Sequence, residues 1–140
     1  SIDSLKKFRG VKRRMDLVAE ISNIKVYDDF AHHPTAIKMS SNSIKDKYPT
    51  KKILGIVELG SNTMSSGYHK DNLIESLKIL DKTLLLDINN AYDYLNGFDS
   101  EEKMLDCIRT EILEYDIILI MTNKDSQKFI KPILDSLENK

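Results

Sequence analysis

Residues 26–37, VYDDFAHHPTAI, set two carboxylates, an aromatic ring and two histidines within a few positions of each other. Three chemistries use such residue types. A metal site built on His32 and His33 fails on geometry, because adjacent side chains in an extended segment point opposite ways and no third ligand follows at zinc-site spacing. A phospho-acceptor site is suggested by Asp28, Asp29, Asp87 and Lys124, since such sites gather acids and a lysine at one edge of a sheet. Here the acid pair follows the second strand of a hairpin, and the two histidines with Pro34 have no part in that chemistry. A nucleotide site employs most of the stretch. The acid at the strand end takes ribose hydroxyls, Phe30 and His32 offer flat faces to a base, and the upstream Arg13 and Arg14 supply bidentate cations for phosphates. A purely structural reading, with Phe30 in the core, His33 at a helix start and Asp29 as a turn former, stays open on the residues alone.

The elements that must position these groups alternate along the chain. RMDLVAEI and IKVYDDF flank the dipeptide SN, which predicts a hairpin with a two-residue turn and an antiparallel opening pair. A helix is expected from Pro34, whose missing N–H needs no partner in a first turn, with Ile37, Ser41, Ile44 and Tyr48 along one face. KKILGIVEL reads as a buried parallel strand, DNLIESLKIL as a helix and TLLLDI as a strand. Asp99 and Glu102 have the spacing of a capping box for a helix through Ile112. YDIILIMTN is the last strand, and Asp125 or Ser126 caps a last helix that Pro132 should bend. A hairpin followed by β-α units predicts an α/β fold: a Rossmann-like, mostly parallel sheet with helices on both faces. Ligands in such sheets sit outside the carboxyl ends of the strands, here after Phe30, Glu58, Asp87 and Thr122.

Composition narrows the function classes. At 140 residues, with 41% hydrophobic and 31% charged residues, the chain holds one core without needing a metal or disulfide. A net charge of -1 argues against a general nucleic-acid or membrane-surface binder. No apolar run approaches the roughly 20 residues of a membrane span, and SIDSLKKFRG does not read as a secretion signal, so the cytoplasm is the expected compartment. The single cysteine, Cys107, lies in a helix-like run and reads as a small buried apolar residue. The basic run KKFRGVKRR, residues 6–14, is either a solvated face or an attractor of phosphates.

Three ordered stretches, FRGVKRRMD, YDDFAHHPTAI and ELGSNTMSSG, resemble the carboxyl-terminal domain of the Mur ligase family, and within it the branch that adds a peptide. The resemblance implies that residues 1–10 are the remnant of a linker from a preceding central domain and that 11–140 form the carboxyl-terminal domain. It implies an ATP-dependent, magnesium-assisted amide-forming ligase, acting in peptidoglycan recycling, that joins a murein tripeptide to UDP-N-acetylmuramate through an acyl phosphate. Its partners would be the enzyme's own amino-terminal and central domains. No G-x-x-x-x-G-K-[ST] phosphate loop occurs in these residues, so the isolated domain is expected to be inactive. By the same resemblance Arg14 approaches the ATP phosphates as the catalytic cation, Asp29 binds ribose, and Phe30 and His32 line the adenine side, His32 also facing the peptide. Ser61, Asn62 and Thr63 face the incoming peptide, while Asp28 and His33 orient the loop and hold the helix start. Leu59 and Gly60 stand where the family pattern E-P-R-S-N-T-M has proline and arginine, and TNKDSQKF replaces a glycine-rich S-N-G-G-F-G segment, with Lys124 as a neighbouring cation. The alternatives are the L-alanine-adding branch of the family and a noncatalytic nucleotide-binding or regulatory module.

Overall fold

The computed structural model describes residues 14–31, 33–58, 70–88 and 97–139. Strands β1 (Asp16–Ile21) and β2 (Ile24–Asp29) pair antiparallel and close at Ile21 against Ile24. The two turn residues, Ser22 and Asn23, have φ of 55° and 68°. Left-handed backbone at both central positions matches the right-handed twist of the flanking strands, which is why the SN dipeptide makes a tight hairpin. Along β1 the register shifts between Leu17 and Ala19, a bulge that bends this exposed edge strand.

The sheet continues with β3 (Ile53–Glu58), β4 (Lys82–Leu86) and β5 (Ile117–Thr122) in the order β1-β2-β5-β3-β4, and every pair after the hairpin is parallel. Helices α1 (Pro34–Lys47) and α2 (Lys70–Leu77) cover one face; α3 (Glu101–Glu111, extended by a 3-10 turn over Ile112–Glu114) and α4 (Gln127–Glu138) cover the other. The period-2 geometry of β5 sorts its apolar run between them. Ile118 and Ile120 join Met104, Ile108, Phe129 and Ile133, whereas Ile117, Leu119 and Met121 join Ile37, Ile44, Leu73 and Leu80. The expected α/β class, mostly parallel with an opening antiparallel pair, is the fold observed.

Two helix starts differ in detail from the sequence reading. Ser100, not Asp99, is the N-cap of α3 and accepts the Lys103 amide on its hydroxyl at 3.3 Å. Ser100 is the last extended residue before the helix, so the residue at the third helical position is Lys103, and Asp99 and Glu102 do not form a capping box. At α4, Ser126 holds the N-cap position but its hydroxyl points inward to Asp28, and Asp125 takes the Gln127 amide instead. Helix α4 runs on through Pro132, forgoing the one bond that a proline cannot donate.

At the far edge, the strand end of β4 is covered by Gly97 and Phe98. Phe98 donates to the Leu85 carbonyl and accepts from the Asp87 amide, both at 2.7 Å. A Cβ at Gly97 would lie 2.9 Å from that Leu85 carbonyl oxygen, so the close approach requires glycine. The result is a row of strand ends, Asp29, Thr122, Glu58 and Leu86, along one edge of the sheet.

Candidate functional site

Arg14, Asp29 and Phe30 meet on one cleft of about 200 Å³ at this edge, together with Ala31, Ala36, Met39 and Ser40. Strand β2 ends at Asp29, so Phe30 and Ala31 leave the sheet there, and α1 begins at Pro34 and lays Ala36, Met39 and Ser40 along the opposite wall. The start of α1 is held from both sides. His33 caps through its carbonyl, which accepts the Ile37 amide at 2.8 Å, and the Ser76 hydroxyl of α2 donates to the Pro34 carbonyl at 2.7 Å.

Asp29 is buried and central. Its Oδ1 accepts the Ala31 amide at 2.8 Å, and its Oδ2 accepts both the Met15 amide and the Ser40 hydroxyl at 3.0 Å. A carboxylate has about four acceptor positions, and donors among the described residues take three of them, one on Oδ1 and two on Oδ2. Met15 is in the left-handed region with φ 49°, a conformation that costs a non-glycine residue about 1–2 kcal/mol. The bond to Asp29 offsets that cost, while the Met15 side chain packs on the apolar cluster beneath α1. Arg14, one residue earlier and exposed, is thereby carried onto the cleft wall.

The neighbouring strand ends form a second polar group. Ser126 donates to Asp28 Oδ2 at 2.9 Å within the protein, tying β2 to the start of α4. Glu58 is paired with Lys128, which also lies 3.6 Å from Glu101, and the Thr122 hydroxyl accepts the Lys124 amide at 3.0 Å. The Oδ1 of Asn123 is buried with no hydrogen-bond partner among the described residues. No three His, Cys, Asp or Glu side chains gather as a metal cage among the described residues.

The structure thus brings together Arg14, Asp29 and Phe30, while Asp28 bonds Ser126 and His33 stands at the N-cap of α1. His32, Ser61, Asn62 and Thr63 lie outside the described residues, as do residues 1–10. Sequence reasoning missed Ala36, Met39, Ser40 and Lys128, and read Ser126 only as a helix cap. The spacing of Ala36, Met39 and Ser40, three and four apart on the helix that follows the acid pair, was the available signal.

Comparison with known proteins identifies the family. The family model described as Mur ligase, glutamate ligase domain, matches residues 13–124, which run from the arginines through all five strands. The chain belongs to the Mur ligase family. Among Mur ligases it is 34% identical, over 98% of its length and 33% of the relative's, to the UDP-N-acetylmuramate–L-alanyl-gamma-D-glutamyl-meso-2,6-diaminoheptandioate ligase of Haemophilus influenzae. It is 37% identical, over 71% of its length and 22% of the relative's, to the UDP-N-acetylmuramate–L-alanine ligase of Aquifex aeolicus. The crystal structure of a murein peptide ligase from Psychrobacter arcticus superposes with a TM-score of 0.76 at 32% identity, covering 91% of this chain and 30% of that one. The chain spans about a third or less of the length of these Mur ligases.

Proposed function

We propose that this chain is the carboxyl-terminal domain of an ATP-dependent ligase that joins a recycled murein tripeptide to UDP-N-acetylmuramate. The observation that carries the reading is the meeting of Arg14, Asp29 and Phe30 on one cleft, in a chain that is 34% identical over 98% of its length to a ligase of that name. The cleft suits part of a nucleotide: a carboxylate at Asp29 for a ribose hydroxyl, a half-buried ring at Phe30 and a cation at Arg14. Its volume of about 200 Å³ falls below the roughly 300–1,000 Å³ of a complete ligand pocket, as expected where other domains supply the remaining walls.

ATP, with magnesium on its phosphates, supplies the phosphoryl group that activates the muramate carboxylate for amide formation. This chain's residues bind and orient. Arg14 draws the phosphates and offsets the charge that develops during transfer, while Asp29 fixes the ribose. By the family resemblance Phe30 and His32 serve the adenine, and His32, Ser61, Asn62 and Thr63 serve the incoming peptide, whose amine replaces the phosphate. The rest of the machinery belongs to the enzyme's own amino-terminal and central domains, in the cytoplasm. Among the described residues no helix is long and apolar enough to cross a membrane.

A second reading, the L-alanine-adding ligase, is supported by the 37% identity to the Aquifex relative, over a shorter part of the chain. Both readings are tested by ATP-dependent amide formation in the full-length protein. Wild type turns over, Arg14→Ala loses at least about tenfold in kcat/KM, equivalent to about 1.4 kcal/mol, and residues 1–140 alone give none. Ligation by residues 1–140 alone, or an Arg14→Ala enzyme as fast as wild type, contradicts the proposal.

A further inference from the structure

We propose that Ser40 is a positioning residue for the nucleotide cleft: acting through Asp29, it fixes the left-handed turn at Met15 and with it the direction of Arg14. The inference rests on the cleft's binding a nucleotide, and it assigns a role to a helix residue that the motif itself does not contain. Three segments distant in sequence converge on one carboxylate. The Ser40 hydroxyl comes from α1, Asp29 ends β2, and Met15 leads into β1.

Oδ2 of Asp29 accepts from Ser40 and from Met15 at the same 3.0 Å, which fills that oxygen, while Oδ1 accepts the Ala31 amide at 2.8 Å. Ser40 is the donor that sits on a rigid element. Helix α1 is seated by Ile37 and Ile44, both fully buried, so the hydroxyl is held at a set height above the sheet. Ala31 belongs to the loop, and Met15 is the residue that needs support, since its φ of 49° is disfavoured for any side chain with a Cβ. Without the hydroxyl the carboxylate keeps only the Ala31 and Met15 amides, both outside regular elements, and any turn about its soft terminal torsion weakens the Met15 bond. Arg14 follows Met15, because only one peptide separates them.

The orientation of Arg14 decides whether its planar fork meets phosphate oxygens two at a time. The inference therefore predicts an effect on nucleotide rather than on peptide. Ser40→Ala raises helix propensity and removes no apolar contact, so the fold should hold.

The test uses the full-length protein as wild type, Ser40→Ala and Ser40→Thr, with ATP as the probe. Two readouts are taken: equilibrium ATP affinity, and hydrogen exchange at the Met15 and Leu119 amides without nucleotide. Ser40→Ala should weaken ATP binding about tenfold and speed exchange at Met15 by a similar factor, with Leu119 in the central strand unchanged. Ser40→Thr, which keeps the hydroxyl, should return both toward wild type. Unchanged ATP affinity, unchanged Met15 exchange, or equal acceleration at Leu119 overturns the proposal, the last by showing a general loss of stability. If wild type binds ATP but forms no amide with the tripeptide or L-alanine, the ligase reading falls, and these same two readouts still decide the role of Ser40.

Discussion

The Met15 amide donates to Asp29 Oδ2 at 3.0 Å, across 14 residues of chain, and this bond joins the entry to β1 with the exit from β2. Asp29 anchors three of the protein's own donors, and the proposed function gives it a second duty, as acceptor for a ligand hydroxyl. Asp29→Ala should destabilise the fold by about 3 kcal/mol in urea titration, since two amides and a hydroxyl lose their partner. In the full-length enzyme it should also raise the KM for ATP more than that for the peptide. Equal effects on both KM values would show that Asp29 only shapes the loop.

The sheet, its order of elements and the carboxyl edge were legible because their signals are local. The β5 run IILIMT is apolar on both faces, and SN between two alternating stretches specifies a turn. What could not be read is long-range. Nothing near Ser40 announces that its hydroxyl meets Asp29, 11 residues away, and Ser126 looked like a helix cap until the fold set it against Asp28, 98 residues away. The N-cap was misplaced by one residue, because Asp99 and Ser100 are both good cap residues and only the backbone conformation chooses between them.

The bond between Ser126 and Asp28 spans β2 and α4 inside the protein. Ser126→Ala should cost about 1–3 kcal/mol, because a buried carboxylate oxygen loses a donor while the helix start gains nothing. Chemical denaturation measures it. A cost within about 0.5 kcal/mol, the usual range for surface substitutions, would show that another donor replaces the hydroxyl.

Cys107 should react slowly as a nucleophile. Burial raises its thiol pKa, and the bond its Sγ donates to Glu111 Oε2 at 3.1 Å raises it further. The hydrogen bond from Lys82 holds the Glu111 carboxyl below its ordinary value, so that acceptor stays charged. Glu111→Gln should speed alkylation of Cys107 by iodoacetamide near neutral pH, since only the thiolate reacts. A slower or equal rate contradicts this.

Tyr27 predicts the alkaline limit of stability. Burial, followed by its hydroxyl contact with Tyr48 at 2.7 Å, pushes its pKa up from 10.0 to about 12. The native state keeps the proton that the unfolded chain gives up, so this contribution is whole below pH 10 and is lost as pH rises toward about 12. Stability should fall with rising pH across that interval through this group. Tyr27→Phe should flatten the decline, as read from thermal unfolding between those limits, and an unchanged slope would contradict the assignment.

The most direct test of the central claim is an acceptor competition in the full-length protein, with ATP and UDP-N-acetylmuramate and equal amounts of the murein tripeptide and L-alanine. The ligase proposed here forms the tripeptide adduct and consumes ATP in step with it, showing that an arginine is dispensable at Gly60. Formation of the L-alanine adduct alone, or of neither, would contradict it.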